Sequence, residues 1–247
     1  MAVHLYGVAR ADTPVDAATV PGRQDREVRL VVDNGLAAIV SDVDETQPVG
    51  RDDLLSHAHV LERFVDDATV LPMRFGIALP DDEATRDQLL QRERQSLEHL
   101  LTALDGSVQV TVQAFLQEEP ALREVLRRRP DLRAARDELQ GRPEEVARSG
   151  EIELGQAITT ALDDLKDEVR TLVVGRLAPL ARAVAENEPT GALEAATVAF
   201  LVDRHDRAEF DAAVTALRAE TESTVRLRYV GPQPAYSFLE SARDGEI

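Results

Sequence analysis

The most constraining feature of the chain is the dipeptide Asn34-Gly35. It stands between Val28, Leu30 and Val32 on one side and Leu36-Ala37-Ala38-Ile39-Val40 on the other. A two-residue type I′ turn needs positive φ at both central positions, and Asn-Gly meets that need at the lowest cost. The spacing therefore predicts a β-hairpin and commits the N-terminal part to an antiparallel sheet. Upstream, Val3, Leu5 and Gly7 alternate with His4, Tyr6 and Val8, and both sets are mostly apolar. A strand apolar on both faces is expected at the centre of a sheet. Residues 13–26, with Pro14, Pro21, Gly22 and many charges, read as a loop.

Helical periodicity takes over at residues 51–68. Leu54, Ala58, Leu61, Val65 and Ala68 recur at i+3/i+4, with Leu55 and Phe64 widening the stripe. Thr69–Gly76 reads as a short extended segment broken by Pro72. Pro80-Asp81-Asp82-Glu83 opens a second helix running to about Leu104, and Asp105-Gly106 closes it.

The second half begins with a strand over Val108–Phe115. Residues 118–149 are charged and punctuated by Pro120, Pro130 and Pro143, which suggests short helices in a solvated, mobile insertion. A long amphipathic helix is expected over 150–178, ended by Pro179. Thr197–Val202 reads as a buried strand. A helix opens at Asp206-Arg207-Ala208-Glu209, and Val225, Leu227 and Tyr229 mark a last strand. Gly231-Pro232-Gln233-Pro234 is expected to stop that ladder. The predicted class is α+β with two domains. They are an N-terminal α+β domain over 1–106 and a modified ferredoxin-like domain over 107–230, with a charged helical insertion in its first crossover. Residues 231–247 form a C-terminal tail.

Composition narrows the function. The chain has 247 residues and no cysteine, which excludes thiolate metal sites, a thiol nucleophile and a disulfide framework. Its net charge is −18, from 46 acidic and 28 basic residues. A phosphate-binding face must be basic, so nucleic acid is not an expected partner. No apolar run reaches membrane-spanning length and no signal sequence is evident, so no membrane partner and a cytoplasmic location are expected.

Motifs for nucleotide or catalytic chemistry are absent from the sequence: there is no G-x-x-x-x-G-K-[ST], G-x-G-x-x-G, H-E-x-x-H or G-x-S-x-G. No cofactor, no metal and no catalytic residue are expected. His57 and His59 stand two apart and point to different sides of a helix, so they cannot share an ion. One is expected on the apolar margin and the other exposed. His59, Glu62 and Asp66 could hold a metal weakly. Arg127-Arg128-Arg129 reads as a solvated helix face balanced by neighbouring carboxylates. Glu151 and Glu153 read as carboxylates favoured at a helix start.

Two segments suggest contact sites. Met73, Arg74 and Phe75 place a cation between two large apolar residues, bounded by Pro72 and Gly76. Either the segment is shaped for a partner or Arg74 pairs across a junction. Tyr236 and Phe238 follow a rigid Pro-x-Pro arm and dock either the tail or a partner.

Taken together, these motifs resemble the gas vesicle protein F/L family. The resemblance rests on Leu5-Tyr6-Gly7-Val8, on His57-Ala58-His59-Val60 with Val70-Leu71-Pro72-Met73-Arg74-Phe75-Gly76, and on Gly150-Glu151-Ile152-Glu153-Leu154-Gly155. It rests also on Ala199-Phe200-Leu201-Val202 and on Gly231-Pro232-Gln233-Pro234-Ala235-Tyr236-Ser237-Phe238. Gln233 stands where members of that family often carry Trp. The resemblance implies two α+β domains, the second a modified ferredoxin fold, and no catalysis. It implies an accessory or minor structural protein of gas vesicles. The implied partners are the small hydrophobic shell protein and other gas vesicle accessory proteins. Met73, Arg74, Phe75, Tyr236 and Phe238 are the expected partner-binding residues. The competing expectation is a ferredoxin-like module that binds a small molecule and regulates another protein.

Overall fold

The structure is a computed structural model. It describes residues 1–14, 20–44, 46–140 and 144–247, with 144–147 described by backbone alone. The loop expected over 13–26 lies partly, and Pro143 wholly, outside the described residues. Helices and two antiparallel sheets make up the fold, so its class is mixed α and β. The chain divides into two compact units. One comprises Met1–Val110, Leu201–Arg207 and Val230–Ile247; the other comprises Thr111–Phe200 and Ala208–Tyr229.

The first unit is built on β1 (Val3–Arg10), β2 (Val28–Asp33), β3 (Leu36–Asp42), β4 (Leu71–Pro72) and β5 (Ala78–Leu79). The order is β2-β3-β1-β4, with β5 also pairing with β1. β1 is therefore interior, as its two apolar faces require. Asn34 and Gly35 take φ of 45° and 87°, and Asp33 faces Leu36, so the hairpin forms where the dipeptide stands. Leu5 faces Val40 while Gly7 faces Ile39, so Tyr6 is an extra residue in β1. Such a bulge re-aims a side chain. Immediately after it, Gly7 lies against β4. A Cβ there would sit 2.7 Å from the Leu71 carbonyl oxygen and 3.0 Å from Leu61 and Val70 side-chain carbons. Gly7→Ala is expected to destabilise the protein by about 1–3 kcal/mol, read as a lower urea midpoint, because the backbone contact cannot relax.

Helix α1 (Arg51–Val65) buries His57, Val60, Leu61, Phe64 and Val65. This corrects the expected stripe: Leu54 and Leu55 are 50% and 55% exposed, and Ala58 is exposed too. The helix is rotated so that a histidine, both of whose ring nitrogens are hydrogen-bonded, takes a core position. The expected helix over 80–104 is interrupted. Asp81 caps α2 (Asp82–Thr85), accepting from the Ala84 amide at 2.8 Å. A π-helical turn follows over Arg86–Gln91, and Glu93 leaves helical geometry before α3 (Arg94–Ala103).

The second half supplies β6 (Ser107–Leu116), α4 (Glu118–Arg128), α5 (Pro130–Leu139), α6 (Glu144–Leu177), β7 (Ala183–Asn187), β8 (Glu194–Asp203), α7 (Arg207–Thr221) and β9 (Val225–Gln233). The sheet order is β7-β8-β6-β9. The half-exposed strand β7 carries too weak an apolar alternation to be legible in the sequence. Helices α4 and α5 are not simply solvated: Ala121, Val125, Leu126 and Leu132 are buried, and both helices pack on α6. Pro120 and Pro130 sit in first turns, where a missing N–H costs nothing. Helix α6 begins at 144, so Glu151 and Glu153 lie inside it rather than at its start. It ends at Leu177, as Pro179 requires. The arginine run is balanced by neighbouring carboxylates as expected, with Arg127 and Arg128 on Glu124 and Arg129 on Asp131, and Arg128 also reaches Glu168 on α6. β9 continues to Gln233, through the segment expected to stop it. It is an edge strand, where proline's missing donor faces no partner.

Candidate functional site

The expected contact segment 73–77 is a loop thrown out of a sheet edge. Gly7 faces Pro72 and Val3 faces Leu79, so four steps along β1 match seven along its partner. Three extra residues must leave the ladder. Both feet of the loop are tied to β1: the Met73 amide donates to the Tyr6 carbonyl (2.8 Å), and the Leu5 amide donates to the Ile77 carbonyl (3.0 Å). Gly76 takes φ of 93°, which lets the chain turn back. Arg74 and Ile77 are exposed, while Met73 and Phe75 are half-buried.

A polar and aromatic network buried in the first unit holds this loop from behind. His57 Nε2 lies 3.0 Å from the Met73 carbonyl oxygen, and His57 Nδ1 lies 3.0 Å from His4 Nε2. A carbonyl only accepts, so His57 carries its proton on Nε2 and its Nδ1 must accept. His4 then donates through Nε2, and its Nδ1 is left as a buried acceptor without a partner. Both imidazoles are neutral in this arrangement. Burial, reinforced by His57 and Arg23, lowers the His4 pKa from 6.5 to about 4, and burial also lowers that of His57.

Phe75 completes the cluster. Its ring centre is 5.4 Å from that of His4 and 5.6 Å from that of His57. The Arg23 guanidinium lies over the same ring at 5.6 Å, within cation–π range. Arg23 in turn pairs with Asp53 at 2.7 Å, their side chains 7% and 14% exposed. The Gly50 amide donates to the other Asp53 oxygen (2.8 Å), and this bond together with Arg23 holds the Asp53 carboxyl below its usual range. The bulged Tyr6 accepts from the Arg23 amide (2.6 Å) and contacts Ser41 Oγ at 2.8 Å. Burial raises the Tyr6 pKa. The His4, Tyr6 and His57 rings are closed to solvent, and Phe75 is half-buried over them. What the network can do is fix the shape of the loop.

The two tail residues part company. Phe238 is 1% exposed and belongs to the core of the first unit, so it offers no surface to a partner. Tyr236 is 43% exposed. Its phenol pKa is pushed up to about 12, first by burial of the ring's inner side and then by Glu62 on α1. The tail is docked by the Ser237 amide donating to Gln109 Oε1 (2.9 Å) and by helix α8 (Leu239–Asp244), where His99 Nε2 donates to the Ala242 carbonyl (3.1 Å). The structure thus brings Met73 and Phe75 together around His57 and sets Tyr236 beside the same helix. Sequence reasoning missed His4, Tyr6, Arg23 and Asp53. Its one signal was that His4 and Tyr6 share a face of an otherwise apolar strand.

His59 is exposed, as expected, and Asp66 faces Arg207. Among the described residues, Asp203, His205 and Asp206 bring one possible metal-binding atom each to within 4.8 Å of one another. His205 and Asp206 are exposed, and the half-buried Asp203 already accepts from the Ser107 hydroxyl. Among the described residues no helix is long and apolar enough to cross a membrane.

Comparison with known proteins extends the likeness over nearly the whole chain. The family described as gas vesicle synthesis protein GvpL/GvpF matches residues 2–240. Gas vesicle protein F of Streptomyces sp. is 36% identical, with 97% of this chain and all of that protein covered. Gas vesicle protein F of Nostoc sp. is 28% identical, over 96% of this chain and 98% of that one. The crystal structure of the gas vesicle protein GvpF from Anabaena sp. superposes with a TM-score of 0.79 at 27% identity, covering 96% of this chain and 98% of that one. The chain belongs to the GvpL/GvpF family of gas vesicle synthesis proteins.

Proposed function

We propose that this chain acts at gas vesicles as a non-enzymatic accessory protein that binds the small hydrophobic shell protein and helps nucleate or assemble the vesicle. The gas vesicle role comes with the family. The observation that carries the finer reading is the pinned loop. It presents Arg74 and Ile77 to solvent on a backing that cannot collapse, which is what a pre-organised contact needs. Tyr236 adds an exposed ring beside α1, and Phe238 serves as the buried anchor that holds it there. A net charge of −18 helps an acidic carrier keep an aggregation-prone partner dissolved.

The domain reading belongs to the same proposal. Residues 1–106 act as the N-terminal α+β domain, 107–230 as a modified ferredoxin-like domain, and 231–247 as its tail. In its support, β6, the helices α4–α6, β7, β8, α7 and β9 follow the β-α-β-β-α-β element order with an enlarged first crossover.

Co-expression with the shell protein, followed by pull-down at moderate salt, tests the proposal. The shell protein is expected to co-purify in soluble form. Arg74→Ala and Tyr236→Ala should each weaken capture at least tenfold, about 1.4 kcal/mol, with the fold intact. Capture by neither the wild type nor the variants, with shell protein shown to be made, would sink the reading.

A further inference from the structure

Helix α1 has two apolar faces, and only one of them is used by the core. Leu54, Leu55 and Ala58 lie on the outward side with Glu62, at helical spacings that place them on one face. Two adjacent leucines, each about half exposed, are an unusual burden on a helix whose core positions are filled from His57 to Val65. Leu55 and Ala58 line an open groove of about 450 Å³ with Pro21. Ser56 and the imidazole of His59 also line it, and its two carboxylates are Asp25 and Glu62. Among the described residues neither is held in an ion pair.

We propose that this outward face of α1 is a docking groove for an amphipathic helix whose apolar stripe is bordered by basic residues. The inference rests on the shell-protein reading and names the chemistry that the partner segment would carry. The acidic rim selects the occupant. A second copy of this chain would bring the same Asp25 and Glu62 and another −18 charges against them. An anionic lipid or nucleic-acid surface meets the same repulsion. A basic-edged helix places cations on both carboxylates and covers Leu55 and Ala58. The 15 residues of α1 give such a helix about 22 Å to lie against.

The test uses the full chain and a labelled peptide of leucine and lysine patterned at helical spacing, with a leucine–glutamate peptide as control. Binding is read by fluorescence anisotropy at about 0.15 M salt, where long-range attraction is screened. The wild type is expected to bind the lysine peptide and not the glutamate peptide. Leu55→Asp should weaken that binding at least tenfold even though it adds negative charge. Glu62→Lys should weaken it as well and raise binding of the glutamate peptide. Both positions face solvent, and unchanged thermal midpoints will show that the fold is kept. If Leu55→Asp binds equally or more tightly, attraction is diffuse and the groove is refuted; no binding by the wild type refutes it too. The shell-protein pull-down is repeated with Leu55→Asp. Capture that survives this change overturns the groove and leaves the shell-protein reading standing. Capture absent from the wild type removes that reading, and the groove's role with it.

Discussion

Replacing Phe238 by alanine is expected to cost about 3–5 kcal/mol, whereas Tyr236→Ala, two residues earlier, should cost well under half as much. Both are aromatic residues of the same tail, and only their burial separates them: Phe238 is 1% exposed and Tyr236 is 43% exposed. Removing the Phe238 ring leaves a cavity in the first unit and loosens the docking of α8 on α3, where Ala242 is fully buried and its carbonyl accepts from His99. Urea midpoints give the two costs. Proteolysis supplies a second readout, since a freed tail is expected to be cut near residues 235–240 in Phe238→Ala and spared in Tyr236→Ala. Equal midpoints for the two variants would show that the tail is not held by its buried ring.

The other large effect is on pH. His4 is neutral in the folded protein with its pKa lowered from 6.5 to about 4, so the unfolded chain binds its proton first. Stability from this group is full above pH 6.5 and is lost as pH falls toward 4, by about 3 kcal/mol in all. His57 shifts in the same direction and adds to the loss. The charged and titratable groups facing the pair are Arg23, Asp53 and Tyr6. Arg23 lowers the His4 pKa further, and Asp53 opposes it weakly. Depressed carboxylates act in another window. Glu124, held at about 2 by Arg127 and Arg128, contributes stability that is lost only below the ordinary 4.5. Urea unfolding at several pH values between 7.5 and 4.5 should therefore isolate the histidines. His4→Phe should flatten the profile over that interval, whatever its stability at pH 7.5. An unchanged slope would mean that His4 does not carry the effect. Because protonating His57 Nδ1 removes the acceptor for His4, the same acidification should loosen the 73–77 loop and weaken any partner held there.

Much of the fold was legible because it is local. Asn34-Gly35 dictates its own turn through φ preferences, so the β2–β3 hairpin needed no tertiary information. Pro179 terminates α6 by sterics alone, and the double-sided apolar pattern of β1 announces an interior strand. The pairing of Arg127 and Arg128 with Glu124 and of Arg129 with Asp131 followed from local charge balance, whereas the Arg128–Glu168 pair is made only by packing α4 on α6. The family resemblance is likewise local, carried by Leu71-Pro72-Met73-Arg74-Phe75-Gly76 and the C-terminal Pro-x-Pro arm.

What the tertiary structure decided was orientation. Periodicity says that α1 has an apolar stripe, but not how the helix is rotated on the sheet. Leu54, Leu55 and Ala58 face outward because His57, polar by any scale, finds two hydrogen-bond partners inside. Likewise the tail contains two rings, and only packing chooses Phe238 for the core and leaves Tyr236 outside. The loop at 73–77 arises from a mismatch between pairings of β1 with β4 and β5, a relation between residues some 70 positions apart. β9 runs past Pro232 because it lies at an edge, a place that only the strand order defines. Turns, breaks and strand interiors are governed by neighbours in sequence and can be read there. Which face is buried, and what stands behind a loop, depends on groups that folding brings together from a distance.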